Sequence, residues 1–160
     1  MNKEDRFKAM EEMFILLLHT SRVINKFYNA KLLKEVGISV TKMAILTVLY
    51  SNGGVMNPSE IAEATYTERN NITVHVNSMS KDGLVISERD VNNKRLVNVM
   101  LTDKGRQTMS DARHSVESTL EKLSISLTED NIYLLERPLR ILRQNGLDGV
   151  SELTQQNIGI

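Results

Sequence analysis

The run Asn57-Pro58-Ser59-Glu60 constrains the chain more than any other, because it opens a helix that the residues after it do not prolong. Asn57 is a capping side chain, Pro58 suits the first helical turn, and Glu60 is spaced to return a bond to the cap. Ile61, Ala62 and Ala64 carry this helix only to Thr65. After a break at Tyr66 and Thr67, a second helix is predicted over 68–81, ending at Asp82 and at Gly83, which suits a left-handed C-cap. Two short helices separated by a tight turn form a helix-turn-helix.

Viewed at about 100° per residue, the second helix has two unlike sides. Ile72, Val76 and Met79 form a narrow apolar stripe for burial. Opposite lie Asn70, Val74, Asn77 and Lys81, flanked by Asn71, Thr73 and Ser78. Exposed helix faces usually carry Glu, Lys and Arg, the stronger helix formers, whereas Asn, Thr and Ser weaken a helix and point to a use. Asn can pair with adenine through two hydrogen bonds, a small apolar group such as Val74 can touch a thymine methyl, and Thr or Ser can reach bases or phosphates. The candidate DNA contacts of the two helices are Ser59, Arg69, Asn70, Asn71, Thr73, Val74, Asn77 and Lys81. A merely solvated polar face is the alternative.

Past Gly83 the period shortens to two. Leu84, Ile86 and Glu88 alternate with Val85, Ser87 and Arg89, turn formers fill 90–94, and a second strand is predicted over 96–101. The pattern is that of a β-hairpin. Arg89, Lys94 and Arg95 place basic side chains on it, and an arginine on such a finger can enter the narrow minor groove. The alternative is charge that keeps an exposed sheet edge from aggregating. Local placement decides here, because the chain balances 20 Lys+Arg against 20 Asp+Glu and offers no bulk basic footprint.

Longer helices flank this segment. Phe7, Met10, Phe14, Leu17, Ile24, Tyr28 and Leu32 recur at helical steps and predict a helix over 5–36, while Met13, Ile15, Leu16 and Leu18 make it apolar on more than one side. A second apolar surface suggests a partner helix; cover from the chain's own later helices is the alternative. Ser39 caps a further helix that stops at Asn52, Gly53 and Gly54. Thr102 caps one through Met109, Val116, Leu120 and Leu123. Thr128 starts another through Ile132, Leu135, Leu139 and Leu142, with a kink expected at Pro138. Residues 150–160 show no clear period and are expected to form a flexible tail or to lie across a partner subunit. The expected architecture is mainly α with a small β-wing. A winged helix-turn-helix lobe spans 39–101, and 5–36 with 102–146 form a helical dimerisation region.

Several function classes fall away. With no cysteine, the chain has no disulfide, thiolate metal site or thiol-based redox sensor. Its longest apolar run, 13–18, is far shorter than the ~18–20 residues of a membrane span, and no secretory signal precedes it, so a cytoplasmic setting away from membranes is expected. No Gly-rich phosphate loop or nucleophile motif suggests an enzyme, and no cofactor is expected. Asp111, His114 and Glu117 share a helix face, which leaves a metal-responsive regulator as an alternative. Only His19, His75 and His114 exist in the chain, however, and such sites usually use more than one imidazole, so no metal ligand is assigned. A winged helix that binds protein rather than DNA is a further alternative.

The order helix, helix-turn-helix, hairpin, followed by Arg95-Leu-Val-Asn-Val-Met-Leu-Thr102-Asp-Lys-Gly105, resembles the MarR family of transcriptional regulators over residues 7–146. That family carries an Asp-x-Arg wing tip and a Leu-Thr-x-x-Gly ending. The resemblance implies that Lys81-Asp-Gly-Leu-Val85 joins recognition helix to wing, that Arg95 is the minor-groove arginine, and that the terminal helices form a homodimer. It also implies a regulator, in the repressor sense, that binds a double-stranded, pseudo-palindromic operator. Small aromatic acids or phenols often bind between the dimer helices and the DNA-binding lobe in that family, which makes His19, Arg22 and Tyr28 the candidate effector contacts here. Two positions depart from the pattern: Asn93 stands where the family has its wing acid, and Tyr66 occupies a turn position where it often has glycine.

Overall fold

The computed structural model describes residues 2–89 and 97–158. In chain order the elements are α1 (Lys3–Glu35), α2 (Val40–Ser51), β1 (Val55–Met56), α3 (Pro58–Thr65), α4 (Arg69–Lys81), β2 (Val85–Arg89), β3 (Val97–Leu101), α5 (Asp103–Ser124) and α6 (Glu129–Ile158). They fall into two compact units, residues 1–120 and 121–160.

The helix starts sit where the sequence places caps. Ser39 Oγ accepts the Lys42 amide at 3.3 Å, and Thr102 Oγ1 accepts the Gly105 amide at 3.0 Å. At the head of α6, Thr128 and Asn131 exchange bonds reciprocally, amide to side-chain oxygen, each at 3.2 Å. Each bond satisfies a backbone donor that the helix cannot satisfy itself.

The first unit has one core. Ile45, Leu46 and Leu49 of α2, Ile61 of α3, Ile72, Val76 and Met79 of α4, and Leu84, Val85, Val99 and Leu101 of the wing pack into a single buried cluster. The apolar stripe expected of α4 is thus the side that faces this core. By contrast, Leu32 is the buried residue of α1, and the helix leaves Phe7 (69% exposed), Phe14 (54%) and Leu16 (67%) open. In the second unit Tyr133, Leu134 and Leu139 of α6 are likewise exposed.

Two expectations need correction. The sheet has three strands, not two, in the order β1-β3-β2, with Val55 opposite Met100 and Met56 opposite Val99. A two-residue strand is too short to show a period in sequence; it is recruited because the Gly54 carbonyl accepts the Leu101 amide at 2.8 Å. Residues 150–158 are helical rather than a loose tail, since α6 continues to Ile158. Pro138, where the sequence predicts a kink, lies inside α6, which continues past it. Proline removes one backbone donor and Gly146 or Gly149 costs about 1 kcal/mol each, penalties that a helix of 30 residues absorbs. The wing tip with Asp90, Asn93, Lys94 and Arg95 lies outside the described residues.

Gly105 is where α5 meets the wing. A Cβ there would stand 2.3 Å from the Leu84 carbonyl oxygen and 2.7 Å from Leu101 Cδ1, with backbone on one side that cannot yield. Gly105→Ala is therefore expected to lower stability by about 1–3 kcal/mol, the range for overpacking, as a fall in urea midpoint. An unchanged midpoint would mean that α5 is free to slide away from the wing.

Candidate nucleic-acid interface

The interface candidates are carried by α3, α4 and β2. At the start of α3, Asn57 Oδ1 accepts the amides of Ser59 (2.9 Å) and Glu60 (3.0 Å), and Glu60 Oε2 accepts the Asn57 amide at 2.8 Å. This closed capping box fixes the direction in which α3 leaves the sheet. At its other end Tyr66 adopts the left-handed conformation, φ 52° and ψ 40°, while the Thr67 amide returns to the Ala62 carbonyl at 2.9 Å. Glycine would reach that turn without the Cβ penalty of about 1–2 kcal/mol, which is the physical meaning of Tyr66 at this position.

From that turn α4 presents Arg69, Asn70, Asn71, Thr73, Val74, Asn77 and Lys81 to solvent, with Val74 67% exposed. No carboxylate interrupts the helix between Arg69 and Lys81. Ser59 on α3 and Arg89 on β2 are also exposed. Ser59, Arg69, Thr73 and Asn77 converge on a small concavity between α4 and the wing, joined there by Asn57 and Ser87. Asn70, Asn71, Val74 and Lys81 do not line it. Neither Asn57 nor Ser87 was singled out from sequence as a contact. The signal for Ser87 was its place on the polar side of a period-two strand.

The far end of α4 is fixed from three directions. Gly83 takes a φ of 72°, and the Leu84 amide returns to the Met79 carbonyl at 2.9 Å. Lys104 Nζ donates to the Asp82 carbonyl at 2.7 Å, and Lys42 Nζ donates to Asp82 Oδ2 at 2.6 Å. The Thr102 hydroxyl shares its proton between the carbonyls of Gly83 (2.8 Å) and Leu84 (2.9 Å). Lys42 bonding holds the Asp82 carboxyl below the usual aspartate value, helped by the charges of Lys42 and Lys104 and opposed by partial burial.

A larger cavity, about 920 Å³, lies among α1, α2, the end of α3 and α5. Met43, Val48, Met109 and Val116 give it apolar walls, and Tyr28, Tyr50, Arg106 and Arg113 bring polar groups. Partial burial raises the Tyr28 phenol above its usual value. Arg106 Cζ stands 5.9 Å from the Tyr50 ring centroid, a cation–π contact, while Arg113 Nε is paired with Glu117 at 2.8 Å. Of the effector candidates only Tyr28 lines the cavity; His19 and Arg22 are exposed elsewhere on α1. Arg106, Met109, Arg113 and Val116 repeat at steps of three and four on α5, so the sequence held a signal for this face. Among the described residues Asp111, His114 and Glu117 form no group that could hold a metal ion; Asp111 accepts from Gln107 and Glu117 from Arg113.

Residues 36–96 match the model of the MarR family. Over 138 residues the chain is 25% identical to the HTH-type transcriptional regulator MgrA of Staphylococcus aureus, covering 84% of this chain and 90% of the relative. The fold is similar to that of the organohalide-sensing transcriptional regulator RdhR-CbdbA1625 in its 2,4-dichlorophenol-bound form. The TM-score is 0.79 at 24% identity, with 91% of this chain and 85% of that chain covered. It is also similar to Sco3205, a MarR family transcriptional regulator from Streptomyces coelicolor in complex with DNA, with a TM-score of 0.79 at 17% identity over 84% and 86% of the two chains.

The Asp82 geometry sets a pH dependence. A depressed folded pKa contributes stability above the unfolded value of about 3.9, and this is lost as pH falls through the folded value. Asp82→Asn is expected to cost under about 1 kcal/mol at pH 7, since the pair is exposed, and the two denaturation curves should converge in acid. A gap that persists at low pH would assign the effect to something other than this carboxylate.

Proposed function

We propose that the chain is a transcriptional regulator of the MarR family, whose model residues 36–96 match, and that it binds double-stranded DNA sequence-specifically as a homodimer. The observation that carries this reading is the exposed face of α4, rich in amides and hydroxyls, free of carboxylates and held on a helix-turn-helix. Asn70 and Val74 lie at the centre of that face, where base edges of the major groove are within reach. Arg95, at the wing tip, is the residue the sequence offers to the minor groove.

The homodimer reading rests on the open apolar side chains of α1 and α6, which are costly to leave in water. Twofold symmetry then presents two recognition helices to half-sites about one helical turn apart, near 34 Å, which calls for a pseudo-palindromic operator. The chain acts as a repressor on this reading. A small aromatic or phenolic effector in the cavity of Tyr28, Tyr50 and Arg106 releases it by favouring a dimer with the wrong helix spacing. The apolar walls and the combination of phenol and guanidinium groups suit such a ligand.

Two measurements check this function. Fluorescence anisotropy against the gene's own upstream duplex should show affinity that falls steeply with salt, and absence of duplex binding at low salt would overturn the proposal. Asn70→Ala should reduce discrimination between operator and scrambled duplex by about 1–3 kcal/mol per altered base contact; equal losses on both would remove Asn70 from base readout. Sedimentation provides the second test: Leu16→Glu should convert a dimer to monomers, whereas a wild-type chain that sediments as a monomer contradicts the symmetry argument.

A further inference from the structure

The concavity between α4 and the wing is about 230 Å³ and has an unusual lining. Its polar side chains are Asn57, Ser59, Arg69, Thr73, Asn77 and Ser87, with no carboxylate among its lining residues. The amides of Ser59 and Glu60 are occupied by Asn57 Oδ1, so the first turn of α3 is already capped and Asn57 has its Nδ2 group to offer. Thr73 is also engaged, donating to the Arg69 carbonyl at 3.1 Å. No salt bridge to Arg69 occurs among the described residues. What remains is a guanidinium, two amide NH2 groups and two hydroxyls facing one hollow. Such a set of donors with one cation complements an oxyanion.

Duplex geometry supplies the oxyanion. If α4 lies in the major groove and the wing reaches the adjoining minor groove, the sugar-phosphate strand that divides the grooves must cross between them. We propose that this hollow seats one backbone phosphate per half-site, held by Arg69 with Asn57, Ser59, Asn77 and Ser87. The proposal rests on the DNA-binding reading above and divides the face of α4 by function. Arg69, Thr73 and Asn77 lie on the flank toward the wing and fix register on the backbone; Asn70, Val74 and Lys81 face outward to the bases. Asn77 thereby moves from base reader, as its residue type suggests in sequence, to backbone anchor.

The test uses the full chain and operator duplexes carrying a single neutral methylphosphonate linkage, placed at each position of one half-site in turn. Wild type should lose about tenfold in affinity at one linkage, as expected for one charge-assisted contact. Arg69→Gln, which removes the contact in both half-sites, should weaken binding to the unmodified duplex by about tenfold per half-site, lower the salt slope by about one per half-site, and show no further loss at that linkage. Arg89→Gln, outside the hollow, should keep the full loss there. Ser87→Ala should give a smaller, two- to threefold effect, in proportion to a neutral hydrogen bond. Circular dichroism melting checks that each variant is folded. If Arg69→Gln stays as sensitive as wild type at every linkage, the seat is wrong while duplex binding stands. If wild type binds no duplex, both readings fall together.

Discussion

The Thr102 hydroxyl accepts the Gly105 amide while its own proton is shared between the carbonyls of Gly83 and Leu84. Through this single side chain the last turn of α4, the first residue of the wing and the first turn of α5 meet at one point. Gly105 allows the meeting, because its missing Cβ leaves room for the Leu84 carbonyl. The angle between α4 and the wing is set here, and with it the width of the hollow that lies between them. Lys42 and Lys104 tie Asp82 at the same junction, so the end of α4 is held by α2 and α5 as well as by its own chain.

The residue after Gly105 is Arg106, which turns toward the larger cavity and stacks on Tyr50. One turn of α5 therefore has the wing root on one side and the proposed effector site on the other. Arg106 Nη2 would also stand 2.9 Å from a Cβ at Gly54, the residue whose carbonyl pairs with Leu101 of β3. On the proposed reading, coupling of effector to DNA needs a difference in ligand affinity between two arrangements of a dimer.

How much of this was legible in the sequence depends on the range of the interaction. Caps are local, and Ser39, Asn57, Thr102 and Thr128 announced their helices because each bonds a backbone amide two or three residues on. The division of α4 into buried and exposed sides was equally legible, since periodicity encodes it. Long-range partners were not. β1 exists only because β3 passes beside Val55 and Met56, and the cavity joins side chains from four helices, so choosing His19 and Arg22 from α1 alone missed it. The left-handed turn at Tyr66 was visible only as a residue out of keeping with its position. The helical end of α6 was missed because an exposed helix with few apolar residues shows no period to read.

Net neutrality gives the remaining constraint on function. With 20 cationic and 20 acidic side chains, the chain offers no bulk attraction for DNA, so the proposed binding rests on the cations and amides placed locally on α4 and β2. Hydroxyl-radical footprinting of the bound upstream duplex tests this most directly. The predicted record is two protected patches related by twofold symmetry, with centres about one helical turn apart, each combining backbone protection with shielding of the adjacent minor groove. A single unsymmetrical patch, or protection spread evenly along the duplex, would contradict a paired, locally anchored reading of DNA.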